Sequence, residues 1–243
     1  MTIDTARTGT PRRSSVRATA TWLLTMHLFL VACFWAIVVV VAAGALVVID
    51  QQGSVQNSIL AFARQGAVWF PFAVFIAITA AYLPVHVAAG LTRRSLALGS
   101  IAAAVGTAVI NGVVFGVLLL VERAVFDALG WRWRILDDVV PSPVDAPTFV
   151  VTTVLTFLVA YVSGLLVCIA YQRMGGWWAT LALPLTAGPI FLVAALLAPN
   201  DGPFGLGDQP LAVAAALSLL VVAVMAVAFD RLTRGASVPQ RTS

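Results

Sequence analysis

Lysine is absent from this sequence, and all 14 of its basic residues are arginine. A Walker A loop needs a lysine to reach the β- and γ-phosphates of a nucleotide. The sequence therefore carries no standard P-loop, and any ATP-driven work would fall to a separate subunit. Cysteine occurs only twice, at Cys33 and Cys168, each inside an apolar run. Both read as small packing residues, with a bridge across the fold as the alternative, and neither fixes a redox compartment. There are only 2 histidines, and charged residues make up 10% of the chain. No HExxH, no GxSxG and no Cys/His metal spacing is present, so little titratable chemistry is available for an enzyme. The sequence implies no catalytic, cofactor-binding or metal-ligating residue.

What fills the chain is apolar: 61% of its 243 residues are hydrophobic. Six stretches approach or exceed the roughly 20 apolar residues that a helix needs to cross a hydrocarbon core of about 30 Å. They run over residues 22–48, 69–89, 96–121, 149–171, 177–197 and 211–229. Backbone polar groups in lipid must find partners within the protein, so each stretch is expected to be helical. The expected fold is an all-α, six-span membrane protein. Residues 1–21 and 231–243 form flexible tails around a 22–230 transmembrane domain. The pieces between spans are too short for a soluble domain with its own core. The first run exceeds a signal-peptide apolar region of about 7–15 residues, so it reads as an uncleaved anchor.

The arginines set an orientation. With the N-terminus in the cytoplasm, ten fall inside: Arg7, Arg12, Arg13, Arg17, Arg93, Arg94, Arg173, Arg231, Arg234 and Arg241. Only Arg64, Arg123, Arg132 and Arg134 fall outside. The positive-inside rule favours this arrangement, with both termini cytoplasmic and the protein in the cell membrane. The pI near 9.8 then reflects topology, and no nucleic-acid partner is implied.

Several positions stand out along the chain. His27 lies in the first span, where an ionisable side chain is a candidate proton relay. A neutral imidazole is cheap to bury, however, and no span core offers a carboxylate partner, so packing is the competing reading. Pro84 is expected to kink or break the second span, with His86 two residues on. Gly90 permits an abrupt stop, and Thr92 is placed to cap a helix starting at Arg93 or Arg94. Asn111, in the third span, must face another helix and not lipid. Gly112 and Gly116 form a GxxxG that permits close helix contact. Glu122 and the residues after it read as a short interfacial helix, followed by an irregular cap containing Asp137, Asp138, Pro141 and Pro143. Residues 171–176 make a tight turn between the fourth and fifth spans, and Pro184 and Pro189 bend the fifth. Asn200-Asp201-Gly202-Pro203 reads as a turn.

Two patches carry a family resemblance. Tyr82-Leu83-Pro84 is followed by Gly90-Leu91-Thr92-Arg93-Arg94 between spans two and three, and Glu122 precedes Gly130-Trp131. With the six-span layout, this resembles the membrane subunits of ABC-2 type transporters, especially small actinobacterial permeases with a G-x-T-R-R turn. The resemblance implies that Gly90, Thr92, Arg93 and Arg94 form a coupling turn at a P-loop ATPase subunit. It also implies a dimer with a second permease copy or paralogue. This sequence lacks the large extracellular domain of bigger members, which leaves the substrate open. The expected function is export of an amphiphilic or bulky substrate. A non-transporting scaffold or immunity-type protein and an ATP-independent secondary transporter are the alternatives.

Overall fold

The computed structural model describes residues 15–50, 57–135, 145–198 and 209–235. The expectations for residues 1–14, for Asp137, Asp138, Pro141 and Pro143, and for 200–203 lie outside that set. Every regular element among the described residues is helical. Five helices are long and apolar enough to cross a membrane. They are α1 (Ser15–Asp50), α2 (Ala63–Ala88), α3 (Arg93–Ala128), α4 (Ala146–Leu181) and α7 (Leu211–Arg234). Two short helices, α5 (Leu183–Thr186) and α6 (Gly188–Leu196), lie between α4 and α7. A 3-10 turn, Leu60–Phe62, leads into α2.

The fifth expected span, 177–197, is therefore not one continuous helix. Gly175 interrupts α4 with φ 75° and ψ 171°, outside the helical region. The Tyr171 and Thr180 hydroxyls are hydrogen-bonded at 2.9 Å. In an unbroken helix nine residues would rise about 13.5 Å, so the chain turns back on itself at Gly175. Beyond it the helix breaks again near Ala182 and Ala187, and Pro184 and Pro189 sit in the first turns of α5 and α6. A proline lacks the N–H that the preceding turn would need but is tolerated where a helix begins.

Other bounds also moved. α2 continues through Pro71 and Pro84 to Ala88, so Pro84 does not break it. The helix runs on for four residues beyond it, and the bond forfeited is the one that its missing N–H would have made to the Ala80 carbonyl. α3 runs unbroken through Glu122 to Ala128. No separate interfacial helix follows Glu122 among the described residues. α1 takes in residues 15–21 ahead of the first apolar run.

α4 is the centre of the bundle. Residues 155–170 are buried without interruption, so the helix is covered on every face. α2, α3, α6 and α7 pack around it, and α1 lies against α3 with only a light contact to α2. Close approach depends on glycine. A Cβ at Gly112 would meet Val154 at 2.8 Å, and one at Gly116 would meet Phe149 at 2.9 Å, so the GxxxG faces α4. At Gly164 the obstacle would be the Phe72 carbonyl oxygen of α2, 2.6 Å away. The outer surface is as apolar as the interior, with Val40, Trp177 and Leu185 each more than 70% exposed. A soluble monomer rarely exposes so much contiguous apolar surface, and a surface in contact with lipid does.

Candidate functional site

The α2–α3 turn is built by two capping motifs in succession. α2 ends with Gly90 at φ 74°. The Gly90 N–H donates to Val87 O at 3.0 Å and the Leu91 N–H to His86 O at 3.2 Å, a Schellman closure. The αL conformation of Gly90 carries no Cβ penalty. α3 then opens with Thr92 in extended conformation, its Oγ1 accepting from the Ser95 N–H at 3.1 Å. Ser95 Oγ–H donates to Thr92 O at 2.6 Å. His86 Nε2 lies 3.0 Å from Ser95 Oγ and 3.2 Å from Thr92 O. With the serine hydrogen committed to Thr92, Nε2 acts as the donor, and the buried ring props the turn from below. His86 thus joins Gly90, Thr92, Arg93 and Arg94 in one unit.

This unit is tied to the end of α7. Arg93 Nη1 donates to Arg234 O at 3.4 Å, and Arg173 Nη1 to Leu232 O at 3.2 Å. Both cations lie at the negative end of the α7 dipole and satisfy carbonyls that lack helical partners. Asp230, which bonds Arg234 at 2.6 Å, adds local charge pairing. Arg94 projects exposed beyond the turn. The N-terminal turns of α1 lie at the same end, because Thr19 packs on Gly99 of α3. One end of the bundle thus gathers Arg17, Arg93, Arg94, Arg173, Arg231 and Arg234.

Asn111 and Glu122 stand apart from that end. Asn111 is fully buried at mid-bundle. Its Oδ1 accepts from Trp35 Nε1–H at 2.6 Å, and its Nδ2 donates to Ala67 O at 3.3 Å and to Tyr161 Oη. The Tyr161 hydroxyl donates to the same Ala67 carbonyl at 3.0 Å. One asparagine therefore joins α1, α2, α3 and α4 in a knot whose amide groups are all used. Glu122 sits at the opposite end of α3. Its carboxylate accepts from Ser58 Oγ–H, from the N–H groups of Ile59 (2.8 Å) and Leu60 (2.9 Å), and from Trp133 Nε1–H (3.0 Å). Gly130 (φ 70°) makes this possible. A second Schellman closure, Trp131 N–H to Phe126 O at 2.9 Å, turns the chain so that Trp133 returns to Glu122. Both residues are clasps.

His27 is also set apart. Its Nδ1 lies 2.7 Å from Leu23 O, and its ring stacks on Phe75 at 3.8 Å. Nε2 has no hydrogen-bond partner among the described residues. Cys33 is exposed and Cys168 buried, and both thiols are free. The sequence reading missed Ser95, the Arg173 and Arg93 links to α7, and the partners of Asn111. Trp35 was the available signal, since a mid-span indole N–H needs an acceptor.

The fold and surface point to a multi-pass integral membrane protein built as a helical bundle. No protein-family model, no curated protein and no solved structure matches this chain.

Proposed function

We propose that this chain is the membrane-spanning subunit of an ABC-2 type transporter in the cell membrane, exporting an amphiphilic or bulky substrate with a separate P-loop ATPase as its motor. The observation that carries this reading is the α2–α3 turn. It is short, doubly capped and propped by His86, with Arg94 exposed, and Arg93 links it to α7. A turn that transmits force must be stiffer than the linkage it pushes on. Here displacement of Gly90–Arg94 is passed to α3 through its N-cap and to α7 through Arg93. In this reading the arginine-rich end is cytoplasmic, and both termini lie on that side. In the same reading the segment 176–196 makes the sixth crossing as a series of short helical pieces.

The buried centre supports a path between two copies. α4 is covered on all sides and Asn111 is fully engaged, so a single bundle offers a substrate no polar route through its middle. The test is purification from native membranes in mild detergent, with co-purifying proteins identified by mass spectrometry. Recovery of a P-loop ATPase, lost when Arg93→Glu and Arg94→Glu are combined, supports the reading. Topology must be checked in the variant, because charge reversal also weakens the positive-inside signal. If no ATPase appears while a control ABC complex survives the same conditions, the permease reading fails and the scaffold and secondary-transporter readings take its place.

A further inference from the structure

Several buried hydroxyls in this bundle are satisfied by their own helix. Thr19 in α1, Thr156 in α4 and Ser218 in α7 each donate to the carbonyl four residues back. Thr107 of α3 does not. It is fully buried, and its Oγ1 has no hydrogen-bond partner among the described residues. Its hydrogen is a donor without an acceptor. His27 presents the converse. Its Nδ1 lies 2.7 Å from Leu23 O. A carbonyl only accepts, so Nδ1 carries the hydrogen, and Nε2 of the neutral ring is a bare acceptor. Nε2 is also buried and unpartnered among the described residues.

The packing brings the two groups to one junction. Thr19, His27 and Trp35 recur at eight-residue intervals along the buried face of α1. Thr19 packs on Gly99 of α3, and Trp35 Nε1–H donates to Asn111. His27 stands midway between these contacts, level with the stretch 103–107 of α3. On α3, Gly99 faces α1, while Asn111 reaches Ala67 O of α2. At 3.6 residues per turn Thr107 lies about 80° around the helix from Gly99 and about 40° from Asn111. It therefore points into the wedge between α1 and α2. The His27 ring occupies that wedge, stacked on Phe75 of α2 at 3.8 Å. The α3 side chains around Thr107 are small, with Ala103, Ala104 and Ala108 all buried, so α3 leaves room at this level. Ser100 stands two turns nearer the arginine-rich end on the same face of α3. Its Oγ is unpartnered too, so the polar lining continues toward that end.

We propose that His27 and Thr107 bind one buried water between α1, α2 and α3. The water donates a hydrogen to His27 Nε2 and accepts the Thr107 hydroxyl hydrogen, which satisfies both groups at once. Internal waters occupy polar sites where two to four otherwise unmade hydrogen bonds converge. The two groups make no direct bond to each other, and water is the smallest ligand that offers both a donor and an acceptor. An apolar ligand would leave both unsatisfied, and an ion would find no opposite charge on either. The site stands whether or not the chain is a transporter subunit.

The experiment is solid-state NMR of the full chain in lipid bilayers with isotope-labelled histidine, at a pH well above the ordinary histidine value. The chain has only 2 histidines, and His86→Gln assigns the signals. His27 should show a protonated Nδ1 and an unprotonated, hydrogen-bonded Nε2 with a cross-peak to a water proton. Thr107→Val removes the hydroxyl at nearly constant shape and should abolish the cross-peak, and Thr107→Ser should restore it. A wild-type Nε2 without a water cross-peak overturns the proposal, whether that nitrogen is free, protonated or bonded directly to Thr107. A cross-peak unchanged in a folded Thr107→Val protein overturns the part assigned to Thr107. Should Thr107→Val fail to fold, the wild-type spectrum decides.

Discussion

Removing the Glu122 carboxylate should destabilise the protein more than any other single polar change. Four donors converge on it: a hydroxyl, two backbone N–H groups and an indole N–H. Glu122→Ala leaves all four without their acceptor. The Ser58 hydroxyl can rotate and the half-buried Trp133 indole can reach solvent at this end, so their losses are discounted. The Ile59 and Leu60 N–H groups open the 3-10 turn into α2 and make no other hydrogen bond among the described residues. Each buried donor left unmade costs about 1–3 kcal/mol, which places Glu122→Ala at about 4 kcal/mol. For a protein of this size about 2–4 °C of Tm accompanies each kcal/mol, so a fall of roughly 8–16 °C is expected. Glu122→Gln keeps an oxygen for Ile59 and Leu60, but its amide nitrogen cannot accept from Trp133, and the expected loss is about 1–2 kcal/mol. Ser58→Ala should match it, since Ser58 Oγ also accepts from the Ala61 N–H at 3.0 Å. Thermal unfolding in detergent, followed by tryptophan fluorescence, measures the series. The reasoning is refuted if Glu122→Ala melts within about 2 °C of the wild type. A Glu122→Gln protein of unchanged Tm that had lost all transport would instead make this carboxylate a working group.

The mid-bundle knot predicts that Asn111→Leu lowers stability by about 2–3 kcal/mol, because Trp35 Nε1 and Tyr161 Oη lose a partner away from water. A double-mutant cycle with Trp35→Phe should return a coupling of about 1 kcal/mol, and a coupling near zero would break the pairing. Two glycines form a contrast. Gly164→Ala presses a Cβ against the backbone of α2 and should cost about 1–3 kcal/mol. At Gly44 nothing lies within 4 Å, so Gly44→Ala should stabilise α1 by about 0.5–1 kcal/mol in the same thermal assay. The reversal at Gly175 is tested by Tyr171→Cys with Thr180→Cys, in a chain whose Cys33 and Cys168 are replaced by serine. The pair should be bridged by a flexible dithiol-reactive linker of roughly 8–10 Å, because the two hydroxyls meet but the tyrosine side chain spans most of the gap, and a direct disulfide needs Cβ atoms about 4 Å apart. Failure of such a linker would mean that the helix continues straight, with the positions about 13.5 Å apart.

The tight basic turn between α2 and α3 was readable residue by residue. Gly90 stops one helix and Thr92 caps the next, and both act through backbone groups only a few positions away. The reversal near Gly175 and the bends at Pro184 and Pro189 were legible for the same reason. Pro84 leaves α2 unbroken, and four residues of the helix follow it; whether a proline ends a helix or is absorbed by it depends on the packing around it and not on its own sequence position. The role of Glu122 was out of reach, since Ser58 and Trp133 approach it through a turn made by Gly130 and through the packing of the 3-10 segment. His86 gave no hint of its partner, because contact with Ser95 exists only after two caps have folded the chain back.

The length of the apolar runs and the sparse charge settled by themselves that this is a helical membrane protein. Backbone groups in lipid have few other ways to be satisfied, and that requirement can be read one segment at a time. Which helix stands at the centre was decided only by the tertiary structure. In water a buried face announces itself against a polar one. In lipid the outward face is as apolar as the inward one, so α1, buried along one face only, and α4, buried along residues 155–170, read alike as sequences. Small residues and a few hydrogen bonds distinguish them. Gly112, Gly116 and Gly164 admit α4 to the middle of the bundle, and Asn111 ties it there through Tyr161.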